Sequence, residues 1–262
     1  MGFLSELLER LRRDLEDHPL DDVALMSRAA AMPAARDLEG ALRAAAPLAL
    51  IAEVKRASPS AGAIAEDADP RALARAYEAG GAAAVSVLTE PRHFHGSTAD
   101  LRAVRSATSL PLLRKDFLIH PSQVIESRAA GADAVLLIVA ALTTELLESL
   151  LWTAADLGLA TVVEVHSDDD LGRVLETSAP VIGVNARDLE TLEVDAGSAL
   201  ARLRRIPDDR IAVLESGIGS RTDAQAAADA GASAILVGEA LMRADDPARA
   251  IRKLLWREVR SG

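Results

Sequence analysis

The chain has 262 residues, half of them apolar, no cysteine, and a formal charge of −11 from 29 basic and 40 acidic residues. Without thiols it is no disulfide scaffold, zinc ribbon or cysteine-nucleophile enzyme, and its apolar share excludes a disordered chain. The longest apolar run, 134–142, is about half a bilayer span, and the acidic balance speaks against nucleic acid and anionic membranes as partners.

Residues 1–47 read as an N-terminal helical extension. Its opening segment, MGFLSELLERLRRDL, mixes charges with apolar residues and contains no separate apolar stretch, so a signal peptide is not expected. Leu4, Leu7, Leu8, Leu11 and Leu15 form one stripe at helical spacing, which docks either on this chain's own barrel, the expected case, or on a partner. From residue 48 to 262, short apolar runs at 48–54, 83–88, 110–114, 134–139, 160–165, 181–184, 211–214 and 234–237 predict eight strands. Helical patterns lie between them, as at 143–157, where Leu146, Leu147, Leu150 and Leu151 share a face. The strands are apolar almost throughout, as a parallel sheet covered on both faces requires. A weak repeat at 78–85, 129–135 and 229–235 reads each time as helix end, glycine turn and strand. Eight such units predict a (β/α)8 TIM barrel, within a single domain spanning 1–262; an open doubly wound sheet usually has fewer strands. The protein is expected to be cytoplasmic, as a monomer or homodimer.

In such barrels the chemistry lies at the carboxyl ends of the strands. Those ends carry Glu53 and Lys55, Thr89 and Glu90, Lys115, residues 136–139, Glu164, Asn185, Glu215 and Ser216, and Gly238. The composition sharpens this, because the chain has only three lysines (Lys55, Lys115 and Lys253) and one asparagine, Asn185. Phe94 and Phe117, two of the three phenylalanines, follow the second and third strands. Glu53 and Lys55 are two apart and point the same way in a strand. A buried carboxylate and ammonium are costly unless paired or used, so they form either a structural ion pair or part of a site. Glu164 and Glu215, also set in apolar strands, each carry the same two readings.

Glycines after strands seven and eight, in 216–219 and 237–239, suit close approach of backbone N–H groups to a phosphate, or serve the turns alone. Glu239 is expected to turn outward from such a site. The long loop after strand one, 56–69, has the length of a lid; Ser58 or Ser60 in it either donates to phosphate or caps the turn around Pro59. His93 and His95 lack an evident third metal ligand and read as surface histidines. His166 either titrates near neutrality or simply precedes a helix starting near Ser167. The acidic run 168–170 reads as helix N-terminal charge, not a metal site. No dinucleotide, P-loop or Ser-His-Asp signature is present, so a nucleotide cofactor is not expected.

The segments IAEVKRASPS (51–60), VSVLTE (85–90) with FHGS (94–97), LLRKDF (112–117), AVLLI (134–138), VEV (163–165), GVNARDL (183–189), LESGI (214–218) and VGEALMR (237–243) together resemble the indole-3-glycerol phosphate synthase family, along nearly the whole chain. The resemblance implies a phosphorylated anilino-sugar substrate, 1-(2-carboxyphenylamino)-1-deoxyribulose 5-phosphate, cyclised with loss of CO2 and water, without metal or cofactor. It implies Lys115 as general acid, Glu164 as its acid/base partner, and Glu53, Lys55, Asn185, Glu215 and Ser216 as the surrounding polar set. Ser58, Gly217 and Gly238 match phosphate-contacting positions; Phe94, Phe117, Leu136 and Leu189 match the walls around the aromatic ring; Arg187 follows the asparagine as the pattern expects. Two departures are Ala61, where many members have lysine, and Ala186, where a polar residue is common. For the chemistry, an ammonium of lowered pKa beside other cations is the expected acid, since guanidinium is too weak. The rivals are a related phosphate-binding barrel, such as an isomerase or a Schiff-base lyase using Lys115, and a catalytically silent barrel kept as a subunit.

Overall fold

The computed structural model describes residues 2–255; the predicted end of the barrel domain at 262, and Trp256 with it, lie outside the described residues. Three helices come first: α1 (Phe3–Asp17), α2 (Asp22–Ala30) and α3 (Leu38–Ala44). Eight parallel strands then close into a barrel: β1 (Ala49–Val54), β2 (Ala84–Leu88), β3 (Leu112–Lys115), β4 (Ala134–Ile138), β5 (Ala160–Val165), β6 (Val181–Asn185), β7 (Ile211–Glu215) and β8 (Ala234–Val237). Between and after them run α4 (Pro70–Gly80), α5 (Thr98–Arg105), α6 (Pro121–Ala129), α7 (Thr144–Asp156), α8 (Asp168–Leu175), α9 (Ala196–Leu203), α10 (Arg221–Asp229), α11 (Glu239–Met242) and α12 (Pro247–Leu254). Among the described residues no helix is long and apolar enough to cross a membrane.

The expected strands and the observed ones agree to within two residues. The third starts at Leu112 rather than 110 and runs through Lys115. Each strand closes against its chain neighbour, β8 against β1, so no sheet edge remains. Helix starts follow the local chemistry: Asp69, Ser97, Thr143, Ser167, Ser220 and Asp246 each accept an N–H of the first turn on their side chain. The repeated glycines Gly81, Gly131 and Gly231 take φ of 88°, 94° and 95°, the left-handed turn that returns the chain from helix to strand.

The extension docks on its own barrel. Leu4, Leu7, Leu8, Leu38 and Leu42 belong to the same buried cluster as the strands, with Leu11 and Leu15 half-buried against it. α2 packs on α6, and α3 packs against β1, β2 and β7. α1 lies at the carboxyl rim, where Ser5 donates to Glu190 beyond β6 and Arg10 pairs with Glu90 beyond β2. The loop after β1 holds a feature that periodicity does not reveal: residues 57–58 and 62–63 pair as a small antiparallel ladder around the Pro59 turn. Arg56 ties this loop down through both oxygens of Asp100, at 2.7 and 2.9 Å.

Candidate active site

Strand alternation decides what reaches the barrel mouth. In β3, Arg114 and Lys115 point to opposite faces. Arg114 is buried away from the mouth, paired with Asp116 at 3.0 Å and Glu126 at 2.8 Å, and its Nε donates to Thr89. Lys115 points inward. Its Nζ lies 2.9 Å from Glu164 Oε2 and 3.4 Å from Glu215 Oε2, bringing together β3, β5 and β7. Glu53 and Lys55 indeed point the same way and pair at 2.9 Å. Adjacent registers stack the remaining groups at this level: Asn185 sits beside Glu215, and Ile138 beside Glu164.

All of these line one cavity of about 400 Å³. Glu53, Lys55, Lys115, Glu164, Asn185, Glu215 and Ser216 form its polar floor and side; Phe94, Phe117, Leu136 and Leu189 lie on its wall; Ser58, Arg187, Gly217 and Gly238 complete the lining. The structure therefore brings together the residues implied by the resemblance, whereas Thr89 and Glu90, also singled out at a strand end, do not line the cavity and bond to Asp116 and His93 instead. Not all are free to act as the sequence suggests. Ser58 Oγ accepts the N–H of Ala61 and so caps the Pro59 turn, with the Ser60 hydroxyl 3.4 Å away. Asn185 Oδ1 accepts the Arg187 N–H, which leaves its amide NH2 for the cavity. The Arg187 guanidinium donates to the Leu192 carbonyl and braces the loop after β6.

Space for the carboxylates comes from glycine. A β-carbon on Gly183 would fall on Glu215 Oε1, and one on Gly238 would fall on Glu53 Oε2. Gly238 thus admits Glu53 as well as opening the turn. Ser216 and Gly217 are consecutively left-handed, at φ 66° and 72°, and this bends the chain after β7 around the mouth. The Gly219 N–H is already taken by Asp223, the helix-capping carboxylate, and is not a donor to the cavity.

Two expectations need correction. Lys115 is ringed by carboxylates, not cations: burial disfavours its ammonium, but Glu164, Glu215 and Glu53 outweigh that and hold its pKa above the ordinary lysine value, not below. Glu239 is half-exposed at the rim, with Arg243 Nε 3.1 Å from its carboxylate. His93 is not a free surface histidine: its backbone N–H and ring both approach the buried Glu90. Among the described residues no group of three His, Asp or Glu is arranged for a metal ion.

The two inner glutamates are driven apart. Burial would raise the Glu164 carboxyl, yet Lys115 and His166 overcome it and hold it well below the usual range. Burial pushes Glu215 well above that range; Lys115 opposes this, but the neighbouring charge of Glu164 adds to it. Two carboxyls pushed in opposite directions beside one ammonium suit one to accept and the other to donate a proton.

Phe3, Asp116 and Arg243 also line the cavity, and sequence reasoning did not place them there. Phe3 reaches in from α1, its ring edge-on to His93 at 4.9 Å and to Phe117 at 6.5 Å. The signal was available, since it is the third of three phenylalanines. Arg243 ends the 237–243 segment and brings to the lining a cation that is paired with Glu239.

A family model described as indole-3-glycerol phosphate synthase matches residues 4–254. A protein of that name from Rhodococcus opacus is 49% identical over 257 residues, covering 97% of this chain and 95% of that protein. One from Mycolicibacterium vanbaalenii is 50% identical over 256 residues, covering 96% and 93%. Among solved structures, a 3-hexulose-6-phosphate synthase superposes with a TM-score of 0.63 at 17% identity, covering 81% of this chain and 100% of the other, and so shares the fold alone. A match over nearly the full length, at half identity and with the polar cavity in place, leaves one conclusion: the chain belongs to the indole-3-glycerol phosphate synthase family.

Proposed function

We propose that the chain converts 1-(2-carboxyphenylamino)-1-deoxyribulose 5-phosphate to indole-3-glycerol phosphate, CO2 and water at this cavity, with no metal or cofactor. The observation that carries the reading is the Lys115 ammonium held between Glu164 and Glu215 beside an apolar wall. The aryl carbon bearing the carboxylate attacks the ketone carbon, and Lys115 protonates the developing alkoxide. A raised lysine pKa does not prevent this. An alkoxide is a far stronger base than an amine, and the carboxylates keep the ammonium loaded at neutral pH.

CO2 then departs from the same carbon, leaving its electron pair to restore the aromatic ring; the apolar side formed by Phe94, Phe117, Leu136 and Leu189 favours this loss of charge. In the last step the new hydroxyl leaves as water with a proton from an acid, and the carbon beside nitrogen gives a proton to a base. Glu164, whose carboxyl is held low, and Glu215, whose carboxyl is pushed up, are the groups poised for these transfers. The phosphate lies at the far end, on the N–H groups after β7 and at the start of α11, whose first donors have no intrahelical acceptor. Ser58 and Arg243 line the same cavity.

The test is formation of indole fluorescence by the purified chain with this substrate, before and after chelation. Equal activity in both is expected. No product would overturn the reading, and loss on chelation would overturn its metal-free form. Borohydride trapping of Lys115 with a carbonyl substrate would favour a Schiff-base lyase instead.

A further inference from the structure

His166 follows β5 by one residue and is not among the residues lining the cavity. Its side chain is 9% exposed, and its Nε2 lies 3.1 Å from Oε1 of Glu164. The approach is within hydrogen-bond distance but off the N–H axis, so Glu164 Oε1 and both ring nitrogens lack an aligned partner among the described residues. Three adjacent buried polar atoms without aligned partners are unusual in a packed interior. Hydrogen bonds of a catalytic group are often misaligned before substrate arrives.

The two oxygens of Glu164 thus face different groups: Oε2 meets Lys115 at 2.9 Å and Oε1 meets His166 at 3.1 Å. When Lys115 gives up its proton, Oε2 loses the charge that holds it. A donor on Oε1 is then what keeps the buried carboxylate in place and ionised. We propose that His166 is a positioning residue for Glu164, donating from Nε2 to Oε1 while Oε2 exchanges its proton with Lys115 and the substrate. This rests on the activity proposed above and assigns the imidazole a part in it.

The groups around the ring are consistent with a donor held in place. Glu164 precedes it on β5, with Lys115 of β3 and Glu215 of β7 behind that carboxylate. Asp170 of α8 accepts the backbone N–H of His166 at 3.1 Å, fixing where the side chain starts. Asp188, in the loop after β6, is close enough for its carboxyl to feel the charge of His166, although N–H groups of Thr191 and Glu190 hold it more strongly.

The experiment compares the parent, His166→Ala and His166→Gln, whose amide nitrogen reaches about as far as Nε2. His166→Ala is expected to lower kcat about ten- to a hundred-fold, the value of one hydrogen bond to a charged group, with little change in KM. Removing a donor to the ionised form raises the Glu164 pKa, so the acid limb of kcat/KM moves to higher pH. His166→Gln restores most of kcat and returns the limb toward the parent position. Unchanged kcat and pH profile in His166→Ala would sink the proposal, as would a Gln variant no better than Ala at equal thermal stability. Should the Ala variant fail to fold, the Gln variant against the parent decides: a kcat within about three-fold supports a donor role, and a hundred-fold loss overturns it. A parent without any indole product counts against the proposed activity instead, and the two failures are therefore distinct.

Discussion

A β-carbon on Gly183 would occupy the place of Oε1 of Glu215, on the adjacent strand. The glycine is not there for a turn, since its φ lies outside the left-handed region and it sits in the middle of β6. It is there for space. Gly183→Ala is expected to keep the fold, to destabilise it by about 1–3 kcal/mol through overpacking, and to displace Glu215. Activity should fall far more than stability; thermal melting and steady-state kinetics on one preparation check this. A variant with parental kcat would mean that the position of Glu215 is unimportant.

Lys115→Ala is expected to reduce kcat by about 10²–10⁴-fold, the usual worth of a placed acid. The far-UV circular dichroism spectrum should remain that of the parent. Lys115→Arg is the sharper variant, because it keeps a cation near Glu164 and Glu215 but cannot release a proton near neutrality. It should be nearly as inactive as alanine. An active Arg variant would show that Lys115 serves as a charge and not as an acid.

Glu215 sets a pH dependence of stability. Its folded pKa is raised above the ordinary 4.5, so the native state holds a proton that the unfolded chain has lost. Its contribution is therefore fully present below about 4.5 and lost as pH rises through the folded value. Glu215→Gln removes that titration. The difference in Tm, parent minus variant, should decline as pH rises above about 4.5. A difference constant across that range would show Glu215 titrating as an ordinary carboxyl.

The two ends of the cavity should separate in KM. Phe3→Ala removes an edge-on contact to His93 and Phe117 and should raise KM by roughly three- to ten-fold, the worth of one aromatic contact. Arg243→Ala should raise KM by a similar factor of about three to ten, and that effect alone should shrink as salt is added. Little change in kcat is expected for either. Titrations with the substrate and with inorganic phosphate as competitor distinguish them, since only Arg243 should affect phosphate inhibition.

Much of this molecule can be read before any coordinates. The eight strands follow from apolar runs bounded by glycine and capping residues, signals that act over two to four positions. The polar groups at the mouth are equally local in origin: Glu53, Lys55, Lys115, Glu164, Asn185 and Glu215 fall at strand ends, where β-alternation and the direction of a parallel barrel send them to one rim. Rarity helped, since two of the three lysines and the single asparagine fall there. Lys253, in α12, shows the limit of that signal.

What escaped sequence reasoning depends on which residues come level across the barrel. Lys115 and Glu164 are 49 positions apart, and their contact is decided by strand register and closure. The sign of the Lys115 pKa shift was therefore beyond a strand-by-strand reading, which supplied cations where the barrel supplies carboxylates. The place of Phe3 depends on how α1 lies over the rim, and the roles of Gly183 and Gly238 on the side chains of neighbouring strands. Local preference determined the elements and which groups reach the mouth. Only the closed barrel, by setting distances and excluding water, decided in which direction the proton affinity of each group is pushed.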